Sequence, residues 1–245
     1  MNLKQHAIAS LERFAIASLA TTLLLSAGTS AIAQSAARVQ FRLPPGGDRS
    51  GAPNRTVGAG TRGREGCSSD ESPLPLTALA PTNNVIKTVA GNPSIYLYAP
   101  AFKDKEAIFR LIDLETEETI YQVEIPLSDT SGILKLSLPD TVELQANATY
   151  QWGFFVQCDA NNPIADQGIE GWVERTELTP QTESEIQQAA SDPLNQAQLY
   201  AEAGIWNEAI ALVAKARDSD PTAWVALLES VDLPPEIVES TEIGE

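Results

Sequence analysis

The apolar residues of this chain change their spacing once, at Pro180, and that change limits the fold more than any other feature. From about Asn92 they come in short alternating runs. These are Ser94–Tyr98, Ala107–Ile112, Thr119–Pro126, Gly132–Pro139, Thr149–Cys158 and Ile169–Arg175. A period of two between Pro, Gly, Asp and Asn turns specifies half-buried strands, and strands at this interval predict an antiparallel β-sandwich. After Pro180 the period becomes helical. Glu183–Ala190 is polar and reads as a connecting helix. Ala197, Tyr200, Ala201, Gly204, Trp206, Ala209, Ile210, Val213, Ala216 and Pro221 then fall on facing stripes of two helices, and Thr222–Ser230 supplies a third. The predicted class is α+β, a sandwich followed by a small helical hairpin.

Thr149–Cys158 is the longest apolar run. Tyr150, Trp152, Phe154 and Val156 share one face, with Gln151, Gly153, Phe155 and Gln157 opposite. Leu144 and the turn Gln145–Ala148 lead into it, which resembles the entry to the sixth strand of immunoglobulin-like and fibronectin-type modules. Tyr150 then stands where a corner tyrosine bonds nearby backbone. The aromatic row reads as core, with a sugar-stacking platform as its alternative. The spacing over 197–221 is that of one tetratricopeptide repeat, with Ala and Gly allowing close approach and Tyr200 and Trp206 filling the gap. One such repeat cannot bury its face alone. It has to dock on the sandwich, on the last helix or on a partner.

At the other end, a cationic start with Lys4 and Arg13, an apolar run over 15–25 and Ala31-Ile32-Ala33 describe a secretory signal peptide cleaved after Ala33. Residues 1–33 carry the only His, His6, so the mature chain is expected to lack imidazole. That excludes Ser-His-Asp and Cys-His catalysis and His-ligated zinc or haem. No later stretch is apolar enough to span a membrane. Two cysteines, Cys67 and Cys158, in an oxidising compartment read as one disulfide; free thiols or a redox couple are the alternatives, and there is no C-x-x-C.

Charge is unevenly divided. The chain carries 33 acidic and 16 basic residues, a formal net charge of −17. Yet between Gln34 and Gly66 stand Arg38, Arg42, Arg49, Arg55, Arg62 and Arg64 against only Asp48 and Glu65. The acidic body repels nucleic acid and anionic membrane. The basic arm either binds an anionic partner or lies on its own acidic domain. Within it, Gly58, Gly60 and Gly63 match G-x-G-x-x-G, but neither a buried strand before nor a helix after is present. No nucleotide site is expected. The loop Asp159–Asp166 lacks the glycine and terminal bidentate Glu of a calcium loop. Asn54-Arg55-Thr56 and Asn147-Ala148-Thr149 match a glycosylation sequon, a pattern too short to argue from.

The arm "RLPPGGDRSGAPNRTVGAGTRGREGC", then "LTALAP", "SIYLYAP", "GILKLSLP", "ATYQWGFFVQC", "GWVERTEL" and "GIWNEAIALVAKARDSDPTAWVALLESVDL" together resemble cyanobacterial domain-of-unknown-function family 928. The resemblance covers nearly the whole mature chain and implies an uncharacterised secreted protein, with no activity or cofactor. Ala59 interrupts the family's glycine triplet, and Trp206-Asn207-Glu208-Ala209-Ile210 departs from its usual helical motif. The expected organisation is a signal peptide over 1–33, a basic arm over 34–76 and an immunoglobulin-like sandwich over 77–178. A tetratricopeptide-like hairpin with a third helix follows over 183–233, then a frayed acidic tail over 234–245. The expected function is a non-enzymatic cell-envelope module, periplasmic or extracellular, with an envelope protein as partner. Glu202 and Glu208 on the outer face of the hairpin, or Arg55, Arg62 and Arg64 of the arm, are its candidate contacts. A carbohydrate-binding module would instead need two or more of Trp152, Trp172, Trp206 and Trp224 exposed on one flat face. A glycan hydrolase would need a carboxylate pair, for which Asp166, Glu170 and Glu174 are nearest.

Overall fold

A computed structural model describes residues 39–44, 67–69, 74–159 and 167–244. The predicted signal peptide, Arg55, Arg62, Arg64 and Asp166 lie outside the described residues. Among the described residues, nine strands form two sheets. Strands β1 (Thr77–Ala78), β3 (Ser94–Ala99), β6 (Gly132–Ser137) and β9 (Glu242–Gly244) make one sheet in the order β1-β3-β6-β9. Strands β2 (Val85–Thr88), β8 (Gln167–Arg175), β7 (Thr149–Val156), β4 (Glu106–Asp113) and β5 (Thr119–Pro126) make the other, in the order β2-β8-β7-β4-β5. The expected antiparallel pairing needs correcting at two edges. β2 runs parallel to β8, and β9 parallel to β6. Both edge strands are too short to show a period, and each joins its neighbour from a distant part of the chain.

Strand β7 sits at the centre because one of its faces is wholly apolar. Trp152 lies opposite Leu111 of β4 and Gly171 of β8, and Phe154 opposite Phe109 and Ile169. A Cβ at Gly171 would come within 2.8 Å of the Trp152 indole, so this glycine makes the room that the large ring fills. The Tyr150 hydroxyl bonds nearby backbone, accepting from the Gln145 N–H at 2.9 Å. Tyr150, Trp152, Phe154 and Val156 are all buried, each contributing roughly 1.5–3 kcal/mol by area.

Five helices follow: α1 (Pro180–Gln188), α2 (Pro193–Glu202), α3 (Trp206–Ala216), α4 (Pro221–Glu229) and α5 (Pro235–Val238). Three start on the same device, a cap residue followed by Pro at the first helical position. Thr179, Asp192 and Asp220 accept from the backbone N–H of Thr182, Asn195 and Thr222 at 3.1–3.2 Å. Helix α2 ends on Gly204 at φ +76°, with Ile205 N–H bonded to Tyr200 C=O and Gly204 N–H to Ala201 C=O, the paired closure that needs a left-handed residue.

The helices do not stand apart from the sheets. Trp206 is buried and its indole N–H donates to Leu79 C=O at 2.9 Å. One hydrophobic cluster holds Leu97 and Trp152 of the sheets together with Trp206 and Leu227 of the helices. Residues 234–244 are not frayed. Ile237 and Val238 are buried, Trp224 Nε1 donates to Val238 C=O at 2.9 Å, and Arg217 stacks on Trp224 at 4.7 Å while donating to the carbonyls of Val238 and Ser240. Two buried aliphatic residues among many acids are enough to hold this segment. Its charge pattern concealed them. Cys67 and Cys158 form a disulfide, which ties the end of the arm to the end of β7. Among the described residues, no helix is long and apolar enough to cross a membrane.

Candidate functional site

The helices carry an extended segment of their own chain. Residues 39–44 cross the hairpin with Val39 and Phe41 buried and Gln40, Arg42 and Leu43 exposed, the alternation of an extended strand. Phe41 meets the Trp206 ring edge-on, centroids 5.2 Å apart. The Phe41 backbone N–H donates to Ser230 Oγ at 2.9 Å, and the Gln40 N–H to Gln198 Oε1 at 3.2 Å. Pro44 closes the far end. It lies so near Gly204 that a Cβ there would come within 2.6 Å of the proline ring. Gly204 thus both ends α2 and admits the strap.

Open hollows flank this strap on both sides. One, of about 590 Å³, is lined by Gln40, Pro221, Val225, Ala226, Glu229 and Ser230. The other, of about 300 Å³, is lined by Gln40, Arg42, Gln198 and Glu202. Glu202 is exposed there as expected, with Gln198 Nε2 donating to its Oε1 at 2.6 Å. Val39, Phe41, Gln198 and Ser230 were not legible as a site. The alternation Val39-x-Phe41-x-Leu43 was the available signal, but it sits within a few residues of the predicted signal peptide and among arginines.

Glu208 differs from its expected place on the outer face. It is half-buried against the end of β2, where Oε1 accepts from Thr88 Oγ1 at 2.8 Å and from the backbone N–H of Val89 and Ala90 at 3.0 Å each. Asn207 is buried beside it and donates to Thr88 Oγ1 at 3.4 Å. Amides just past a strand end need an acceptor, and a carboxylate in the first turn of α3 supplies one. Burial pushes the Glu208 carboxyl above its usual range, with the bonds from Thr88, Val89 and Ala90 opposing the shift. Tyr200 is raised too, first by burial, then by the charges of Glu208 and Glu183. A helical wheel places Glu208 outside because it takes no account of a sheet edge lying over the helix.

Tyr200 and Glu183 also line a cleft of about 580 Å³ with Val89, Arg175 and Ile186. Arg175 is engaged in that wall, donating to Val89 C=O at 3.3 Å, to Glu143 Oε1 at 3.3 Å and to Leu144 C=O. Of the tryptophans, Trp152, Trp206 and Trp224 are buried and Trp172 is half-buried. Glu170 and Glu174 share a face of β8, and Gln151 Nε2 donates to Glu170 at 2.7 Å. Among the described residues, no three His, Cys, Asp or Glu side chains gather as a metal site would require.

A family described as Domain of Unknown Function (DUF928) matches residues 57–241, which takes in the disulfide, strands β1 to β8 and all five helices but not β9. No curated protein matches the chain.

Proposed function

The chain belongs to the DUF928 family, a domain of unknown function, and we propose that it is a non-enzymatic cell-envelope protein whose helical hairpin docks another protein. The observation that carries this reading is the strap. The helices hold an extended peptide by two buried anchors and by side chains that bond its main chain, and open hollows bearing Glu202 and Glu229 flank it. Such a surface is built for contact rather than chemistry. The hairpin keeps its tetratricopeptide-like spacing but meets its need for a partner face in cis, through Trp206 on Leu79 and Phe41 on Trp206. Docking therefore falls to the outer faces of α2 and α4. The Cys67–Cys158 bond supports an oxidising compartment outside the cytoplasm.

The other readings have less support. Three buried tryptophans leave no flat indole platform for sugar. Four backbone steps along β8 set Glu170 about 13 Å from Glu174, longer than the roughly 5–9.5 Å of a glycosidase pair. The test is a capture experiment from cell envelopes with folded variants. Glu202→Lys and Glu229→Lys are expected to lose the partner that the parent retains. If both retain it while reversal of Arg55, Arg62 or Arg64 abolishes capture, the basic arm is the interface and this reading fails.

A further inference from the structure

We propose that the groove holding Val39–Pro44 also takes that same segment from a second copy of the chain, so that two copies exchange straps. This rests on the reading of the helices as a docking surface and extends it from their outer faces to the groove under the strap. The strap is a peptide ligand in its chemistry. Of its residues only Val39 and Phe41 are buried, at alternate positions, and among the described residues the Gln40 and Phe41 N–H groups donate to side chains of the helices, Gln198 and Ser230, rather than to a sheet ladder. Recognition of that kind depends on the segment's own sequence and not on the path by which the chain arrives. Open hollows of about 590 and about 300 Å³ border it on either side, so its exposed residues are not enclosed by the helices.

Chain length permits the exchange. The next fixed point after Pro44 is Cys67, bonded to Cys158. Residues 45–66 reach up to about 75 Å at roughly 3.3–3.6 Å each, more than the width of a domain this size. A strap of one copy can therefore seat on the helices of another, which in turn seats its own strap on the first. Both arrangements make identical contacts and differ only in chain entropy. The exchanged pair is accordingly favoured as concentration rises. Gly204 acts in selection, since its missing side chain is the gap that Pro44 of either copy fills.

The experiment uses two variants of the mature chain, each confirmed as folded by circular dichroism. An acceptor, Val39→Asp with Phe41→Asp, carries an empty groove and a strap that cannot seat. A donor, Ser230→Trp, carries an obstructed groove and a free strap. Sedimentation of either alone should give monomer, and their mixture should give a one-to-one pair. A labelled synthetic peptide of residues 37–46 should bind the acceptor saturably, and at least tenfold more weakly once Phe41 of the peptide is alanine. A folded acceptor that ignores the peptide overturns the groove. Peptide binding without any donor–acceptor pair overturns the second copy as occupant. If the double variant does not fold, Phe41→Ser carries the same two measurements. Purified protein suffices throughout, so failure here leaves the envelope-capture result standing on its own.

Discussion

Glu208 and Trp206 are neighbours but for one residue, and they show what a single position contributes. Trp206 was legible: its helical spacing places it in the seam, and it is buried with its N–H bonded to Leu79. Trp206→Ala should cost ~3–5 kcal/mol, read as the shift of a urea midpoint. Glu208 was not legible, because its partners Thr88, Val89 and Ala90 lie more than a hundred residues away in sequence. Its folded pKa is raised, so the ionised form opposes folding above that value and the penalty disappears as pH falls through it. As pH falls toward the ordinary carboxylate range the parent should therefore gain stability relative to Glu208→Gln, which lacks this titration. A difference that stays constant, or reverses in sign, contradicts the burial argument. Glu208→Lys is expected to cost at least ~3 kcal/mol, since it takes the acceptor from the Val89 amide and the Thr88 hydroxyl and buries a cation.

Among the elements, those with a long period were readable and the short ones were not. The six strands between Ser94 and Arg175, and helices α1 to α4, follow from alternation, from helical spacing and from the Thr-Pro and Asp-Pro starts at 179, 192 and 220. Strands β1, β2 and β9, with two to four residues, have no period to read, and their pairing is decided by the neighbours that cover them. The C-terminal segment was misjudged for the same reason. Pro234, Pro235 and the acids around them outnumber Ile237 and Val238, yet those two side chains and the Arg217–Trp224 clamp fix the segment. Removal of residues 234–245 should cost about 3 kcal/mol or more, from two lost aliphatic side chains and an uncovered indole. Thermal unfolding checks it, and an unchanged midpoint would restore the tail to a passive role.

At the scale of the whole molecule, sheets and helices share one hydrophobic cluster, so the part from Val39 onward should unfold as a unit. Fluorescence of the buried tryptophans and far-ultraviolet dichroism are expected to give one midpoint, and two separated midpoints would mean two domains. Reduction of Cys67–Cys158, which closes a loop with a sequence separation of 91, should lower that midpoint by the equivalent of up to ~4–5 kcal/mol. The central claim concerns the outside of this unit, the faces of α2 and α4 beside the strap. Hydrogen–deuterium exchange of the protein, alone and with the partner captured in the test above, tests it most directly. Added protection should concentrate in residues 193–202 and 221–230. Protection that falls on β4 and β5, with the helices unchanged, would contradict the account.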